Sequence, residues 1–165
     1  MYFDYFDHDS VESINKALDD FGRFLELEGP YDGVIGFSIG ALLASTYLIR
    51  ETKLHLTKAL PFKCAIFFSA AAALDPTALM TGKITLLEPL PDQYFLPGLP
   101  TAHIWGRNDP LWADRSERLS TLCDPQERSI FLHDEGHAVP GARAKEALLG
   151  SVRAIRRTVG KAALA

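Results

Sequence analysis

The stretch from Val34 to about Glu51 constrains the fold most. A four-residue apolar run, Val34-Ile35-Gly36-Phe37, meets Ser38-Ile39-Gly40, and small and apolar residues beginning with Ala41 follow directly. The run is too short for a helix and reads as a buried strand, whereas the segment after it has helical length. A strand that passes into a helix through a tight turn returns to its sheet by a crossover, which makes the neighbouring strand parallel. The rest of the chain repeats the alternation. Asp9-Ser10-Val11-Glu12 reads as a capping box with Asp9 as the cap. It opens a helix with Val11, Ile14, Leu18, Phe21 and Leu25 on one face, closed by Gly29-Pro30. Further strands are expected at 64–68, 101–105 and 128–133, and helices at 113–122 and 142–158. This pattern predicts one α/β domain over residues 1–165, built on a mainly parallel sheet of about four strands. Residues 74–100 carry five prolines, at 76, 89, 91, 97 and 100. With no periodicity of their own, they read as a loop excursion or cap.

Composition excludes several classes. The chain has 165 residues, 47% of them hydrophobic and 23% charged, which suits a packed core and not a disordered segment. Its net charge of −4 argues against a nucleic-acid binder. No apolar run approaches the roughly 20 residues of a membrane span, and residues 1–7 have no signal-peptide pattern. Cys64 and Cys123 lack metal-ligand spacing and read as reduced thiols in a cytoplasmic protein. No phosphate-cradling G-x-x-x-x-G-K-[ST] loop is present, and Gly33-x-x-Gly36 lacks the third glycine of a dinucleotide fingerprint. The basic face of the last helix (Arg143, Lys145, Arg153, Arg156, Arg157, Lys161) reads as a solvated surface.

Gly36-Phe37-Ser38-Ile39-Gly40 fits G-x-S-x-G, in which a sharp strand-to-helix turn lifts a serine hydroxyl out of the sheet. The two elbow glycines, Gly36 and Gly40, allow strand and helix to approach, and the Ile39 amide faces a developing oxyanion. Serine needs a base to become a nucleophile. Of the five histidines, His137 is the expected base, because it lies in a loop just past a strand end, where α/β sheets keep functional residues. His133 reads as a structural hydrogen bonder and His103 as a packed strand residue. His8 and His55 lie in less suitable contexts. Asp109 is the expected acid that orients the imidazole; Asp114 is the alternative, then Asp134. The order Ser38, Asp109, His137 is the one α/β-hydrolases use. A zinc reading of His133 and His137 requires both on one helical face, whereas a strand end and a loop carry them here. No metal and no cofactor is expected.

With these residues in place, the chain resembles a known family. Tyr31-Asp32-Gly33-Val34-Ile35-Gly36-Phe37-Ser38-Ile39-Gly40-Ala41 is similar to the elbow of the fungal serine hydrolase (FSH-type) family within the α/β-hydrolases. Ala102-His103-Ile104-Trp105-Gly106 with Asp109 resembles its acid-bearing segment, and His133 to Pro140 its H-x-G-G-H-x-x-P segment. The resemblance implies a three-layer α/β-hydrolase sandwich and a carboxylester or thioester hydrolase. It also implies release or editing of an acyl or polyketide chain on an acyl carrier protein. Ser38, His137 and Asp109 carry over as the triad and the Ile39 amide as an oxyanion donor. Leu86, Leu87, Tyr94 and Phe95 are expected to shape an apolar acyl pocket. Ile39 replaces the family's usual polar residue, and Glu135 a frequent glycine.

Family members begin with a strand and an L-H-G-[FY]-G-like turn that supplies a second oxyanion amide, and residues 1–9 carry no such pattern. The expectation is a domain truncated at its amino end, with the nucleophile strand as a bare edge. An apolar edge strand invites pairing, so a homodimer through that edge is expected, which light scattering would test. The alternative is a non-hydrolytic member that binds or cyclises acyl chains or serves as a partner protein.

Overall fold

The computed structural model describes residues 5–54 and 59–164. Helix α1 (Val11–Glu28) is followed by strand β1 (Gly33–Phe37), helix α2 (Ile39–Leu54) and strand β2 (Cys64–Phe68). A short helix α3 (Pro76–Met80), strand β3 (Thr101–Gly106) and helix α4 (Ala113–Thr121) come next, then strand β4 (Arg128–His133) and helix α5 (Lys145–Ala162). The four strands form one parallel sheet in the order β1-β2-β3-β4. Among the described residues, β1 is therefore an edge, and Ile35 on it is 66% exposed.

Strands buried on both faces read as nearly continuous apolar runs, and β2 and β3 are buried at every position, with the polar Thr101 and His103 paired to each other. Alternate residues serve opposite layers. Ile66, Phe68, Ala102 and Ile104 pack with Ala154 and Ile155 of α5 on one face. Ala65 and Phe67 pack with Ala41, Ala44 and Leu48 of α2, Leu119 of α4 and Leu122 just after it on the other. The result is the three-layer α/β sandwich expected. Helix α1 lies outside α2, with Ile14 and Leu18 buried against Leu43 and Tyr47. None of the helices among the described residues is long and apolar enough to cross a membrane.

Four expectations need correction. The α1 cap is Ser10, not Asp9: the Ser10 hydroxyl accepts from the Ser13 amide, and Ser13 Oγ accepts from the Asp7 amide at 2.9 Å. Either residue suits the cap position, and the choice fell one residue later. Helix α2 begins two residues earlier than expected, at Ile39, and α5 continues past residue 158 to Ala162. Residues 74–100 are not a detached cap. Leu87, Phe95, Leu96 and Leu99 are buried in the main core, and the segment is held by the Phe95 amide donating to the Leu122 carbonyl at 2.8 Å. Both cysteines are free and buried.

Candidate active site

Ser38 sits between β1 and α2 with φ +54°, a left-handed conformation costly for a residue with a side chain. The surroundings hold it there. Its amide donates to the Phe68 carbonyl on β2 at 3.0 Å, and its carbonyl accepts from the Ala41 and Leu42 amides at 3.1 and 3.2 Å. Gly36 is needed for this turn, since a Cβ there would lie 2.6 Å from Ala41 Cα. Gly40 is not crowded by backbone: a Cβ there would meet only the Tyr5 ring, at 3.7 Å. Of the two elbow glycines, Gly36 carries the close approach. Ile39 and Gly40 open α2, so their amides have no intrahelical carbonyl to reach.

Asp109 lies in the turn after β3 and is 3% exposed. Its Oδ1 accepts from the Leu111 and Trp112 amides at 3.2 and 3.1 Å. Its Oδ2 lies 2.7 Å from His137 Nδ1, and His137 Nε2 lies 3.0 Å from Ser38 Oγ. A carboxylate only accepts, so Nδ1 carries the proton and Nε2 is left to accept from the serine hydroxyl. The imidazole is flanked by aromatic rings, with the Phe37 centroid at 5.0 Å and the stacked Trp112 centroid at 5.5 Å. These restrict the ring orientation beyond what the two hydrogen bonds do. The arrangement can deprotonate Ser38 as it attacks an acyl carbon and return the proton to a leaving group.

The other candidates fall elsewhere. Asp114 is on the exposed first turn of α4, and Asp134 pairs with Arg107 at 3.0 Å. His133 is buried at the end of β4, where Nδ1 accepts from the Glu135 amide at 3.2 Å, as a structural hydrogen bonder would. His8 lies beside Phe6 with ring centroids 4.9 Å apart, and His55 lies outside the described residues. No cluster of three or more His, Cys, Asp or Glu among the described residues is placed to hold a metal ion. Of the four residues expected to shape an acyl pocket, Leu87 and Phe95 are consumed by the core. Tyr94 is 40% exposed. Leu86 is half-buried in the cluster that includes Ile39 and Trp112, the neighbours of Ser38 and His137. Leu86 thus shares a cluster with residues that flank Ser38 and His137.

His103 faces the α2/α4 layer of β3, with Nε2 3.1 Å from Thr101 Oγ1. Burial, with a lesser contribution from the Arg128 charge, lowers its pKa from 6.5 to about 3. Because the folded value is depressed, the unfolded chain takes up a proton below pH 6.5 that the folded chain refuses until about pH 3. Stability attached to this residue is therefore complete above pH 6.5 and is lost as the pH falls towards 3. Urea unfolding at pH 6.5 and 4.5 should show a loss of about 2 kcal/mol that is absent in His103→Leu. An equal loss in that variant would refute the assignment.

With the geometry in place, the comparisons decide the family. Residues 2–147 match the family model described as Serine hydrolase (FSH1). The chain belongs to the serine hydrolase (FSH1) family. Esterase FPY3 of Fusarium mangiferae is 35% identical over 160 residues, covering 97% of this chain and 71% of that protein. An esterase of Caenorhabditis elegans, C25G4.2, is 32% identical over 79% of this chain and 55% of its own length. The fungal hydrolase phiM is 27% identical over 78% of this chain and 59% of its own length. This serine hydrolase chain thus spans between about half and seven-tenths of these relatives. Among solved structures, a putative hydrolase from Agrobacterium vitis superposes with a TM-score of 0.59 at 16% identity, over 86% of this chain and 68% of that one. The esterase domain of a Rhodothermus marinus protein gives 0.52 at 17% identity, over 85% and 67%. At these identities the likeness is one of α/β-hydrolase fold.

Proposed function

We propose that this serine hydrolase cleaves carboxylic esters or thioesters through a Ser38-His137-Asp109 triad. The unbroken hydrogen-bond chain from Asp109 Oδ2 through His137 to Ser38 Oγ carries the reading. Ser38 Oγ attacks the carbonyl carbon as its proton passes to His137 Nε2. The carbonyl oxygen becomes an oxyanion facing the Ile39 amide. Collapse expels the alcohol or thiol, which takes the proton from His137 and leaves an acyl-Ser38 ester. Water, deprotonated by the same nitrogen, then attacks that ester, releasing the carboxylic acid and restoring the Ser38 hydroxyl. Asp109 stays ionised throughout and stabilises the imidazolium. Of the resemblance's finer implications, an acyl or polyketide chain held as a thioester on a carrier protein is the substrate class we infer.

Steady-state hydrolysis of p-nitrophenyl acetate, alongside an acyl thioester of the same chain length, tests the proposal. Turnover of either supports it, and a higher kcat/KM for the thioester supports the carrier-bound class. Acyl-chain binding by calorimetry with no turnover of either would instead favour a non-hydrolytic member.

A further inference from the structure

The triad draws its acid and its base from two different loops, and something must fix one loop against the other. The β3–β4 ladder does so up to Gly106, which is in register with His133. One more backbone bond follows, the Arg107 amide to the His133 carbonyl at 2.8 Å. Beyond it, the backbones no longer pair: the Asp109 amide turns back to the Gly106 carbonyl at 3.1 Å, and Gly136 adopts φ +63°. The Asn108 side chain takes over at that point. Its Nδ2 donates to the Asp134 carbonyl at 2.8 Å, and its Oδ1 accepts from the Gly136 amide at 2.9 Å.

These partners are the carbonyl of position 134 and the amide of position 136. A residue of a parallel strand bonds in this way to the two neighbours of the residue opposite it. With Gly106 opposite His133, the residue opposite position 108 is 135. The carboxamide therefore makes from a side chain the pair of bonds that a strand residue would make from its backbone, and ties the two loops where their backbones no longer pair. Only an amide side chain offers a donor and an acceptor side by side. Asp109 is the residue that follows Asn108 in one loop, and His137 the residue that follows Gly136 in the other.

We propose that Asn108 is a positioning residue for the triad: its side chain sets the His137 loop at the height that lets Nδ1 meet Asp109. This rests on the proposed function, because only a working triad gives the registration a catalytic consequence. Asp109 is anchored within its own loop by the Leu111 and Trp112 amides. The His137 loop leans on Arg107 and Asn108 for its attachment to that turn. The Arg107–Asp134 ion pair is exposed on both sides, and such pairs hold geometry weakly. Displacing a catalytic group by about 1 Å costs up to roughly 100-fold in rate. The two bonds are solvent-exposed, so removing them touches global stability little.

The test compares the native chain with Asn108→Ala and Asn108→Asp. Asparagine to aspartate keeps the acceptor for Gly136 and loses the donor to Asp134. Three quantities are read: kcat and KM for p-nitrophenyl acetate, Tm, and the proton NMR signal of the His137 Nδ1–H bonded to Asp109, assigned with ¹⁵N-histidine. Asn108→Ala should lower kcat roughly 10- to 100-fold with KM within about twofold. Its Nδ1–H signal should broaden into solvent exchange while Tm falls by less than about 4 °C. Asn108→Asp should fall between the two and serves alone if the alanine variant does not fold. A native kcat with a native Nδ1–H signal in both variants overturns the proposal. So does the absence of that signal in the native chain. If the native chain turns over no ester, the triad function fails, and the response of the Nδ1–H signal alone decides whether Asn108 sets the registration.

Discussion

Replacing Ser38 with alanine is expected to lower kcat for p-nitrophenyl acetate about 10⁶-fold, with His137→Ala close behind. The size follows from the way the three groups act as a unit. Without Oγ there is no nucleophile, and without His137 Nε2, 3.0 Å away, the hydroxyl stays protonated and inert. Removing the second of these groups after the first should therefore cost almost nothing more. Asp109→Asn is expected to cost about 10⁴-fold. An amide at the position 2.7 Å from Nδ1 no longer demands a proton on that nitrogen, so the tautomer that leaves Nε2 free is no longer enforced. KM should stay nearly constant across all three, because these groups act on the transition state and not on the bound ester. A Ser38→Ala protein that keeps a tenth of native kcat would exclude Ser38 as the nucleophile.

The second large effect separates the elbow glycines. Gly36→Ala should destabilise the fold by about 3 kcal/mol and leave no measurable hydrolysis. The new methyl would lie 2.6 Å from Ala41 Cα and 2.7 Å from its amide nitrogen. Both are backbone atoms at the start of a 16-residue helix, so the clash cannot be relieved by a side-chain rotation. Strand and helix must part, and the Ser38 carbonyl then loses its bonds to the Ala41 and Leu42 amides. Gly40→Ala meets only the Tyr5 ring at ordinary contact distance. With alanine the better helix former by up to about 1 kcal/mol, that variant should be as stable as the native chain. Urea unfolding of both, read beside p-nitrophenyl acetate turnover, checks the contrast. Equal losses in the two variants would mean that helix propensity, not strand–helix contact, governs the turn.

The sheet, and the three residues of the proposed triad, were legible because their signals are local. Each strand has a short apolar run, each residue of the proposed triad follows one of those runs, and the glycines around Ser38 mark a sharp turn. The Asn108 link was hidden for the opposite reason. Its meaning depends on the register of β3 against β4, and an asparagine beside an aspartate in a loop looks like ordinary turn chemistry. The same holds for Gly106, where a side chain would overlap the Gly136 carbonyl across the two loops. Residues 74–100 misled because periodicity reads only regular elements. Leu87 and Phe95 enter the core from irregular backbone, through contacts such as the bridge between Leu96 and Cys123. Their hydrophobicity was visible, but not the layer that absorbs it.

The central claim is that Ser38 is an activated nucleophile, and covalent trapping tests it most directly. Incubation with a fluorophosphonate, followed by intact mass and peptide mapping, should give one phosphonyl adduct per chain. The adduct should map to Ser38, disappear in Ser38→Ala and form far more slowly in His137→Ala. A native chain that hydrolyses p-nitrophenyl acetate while Ser38 stays unmodified would contradict the account.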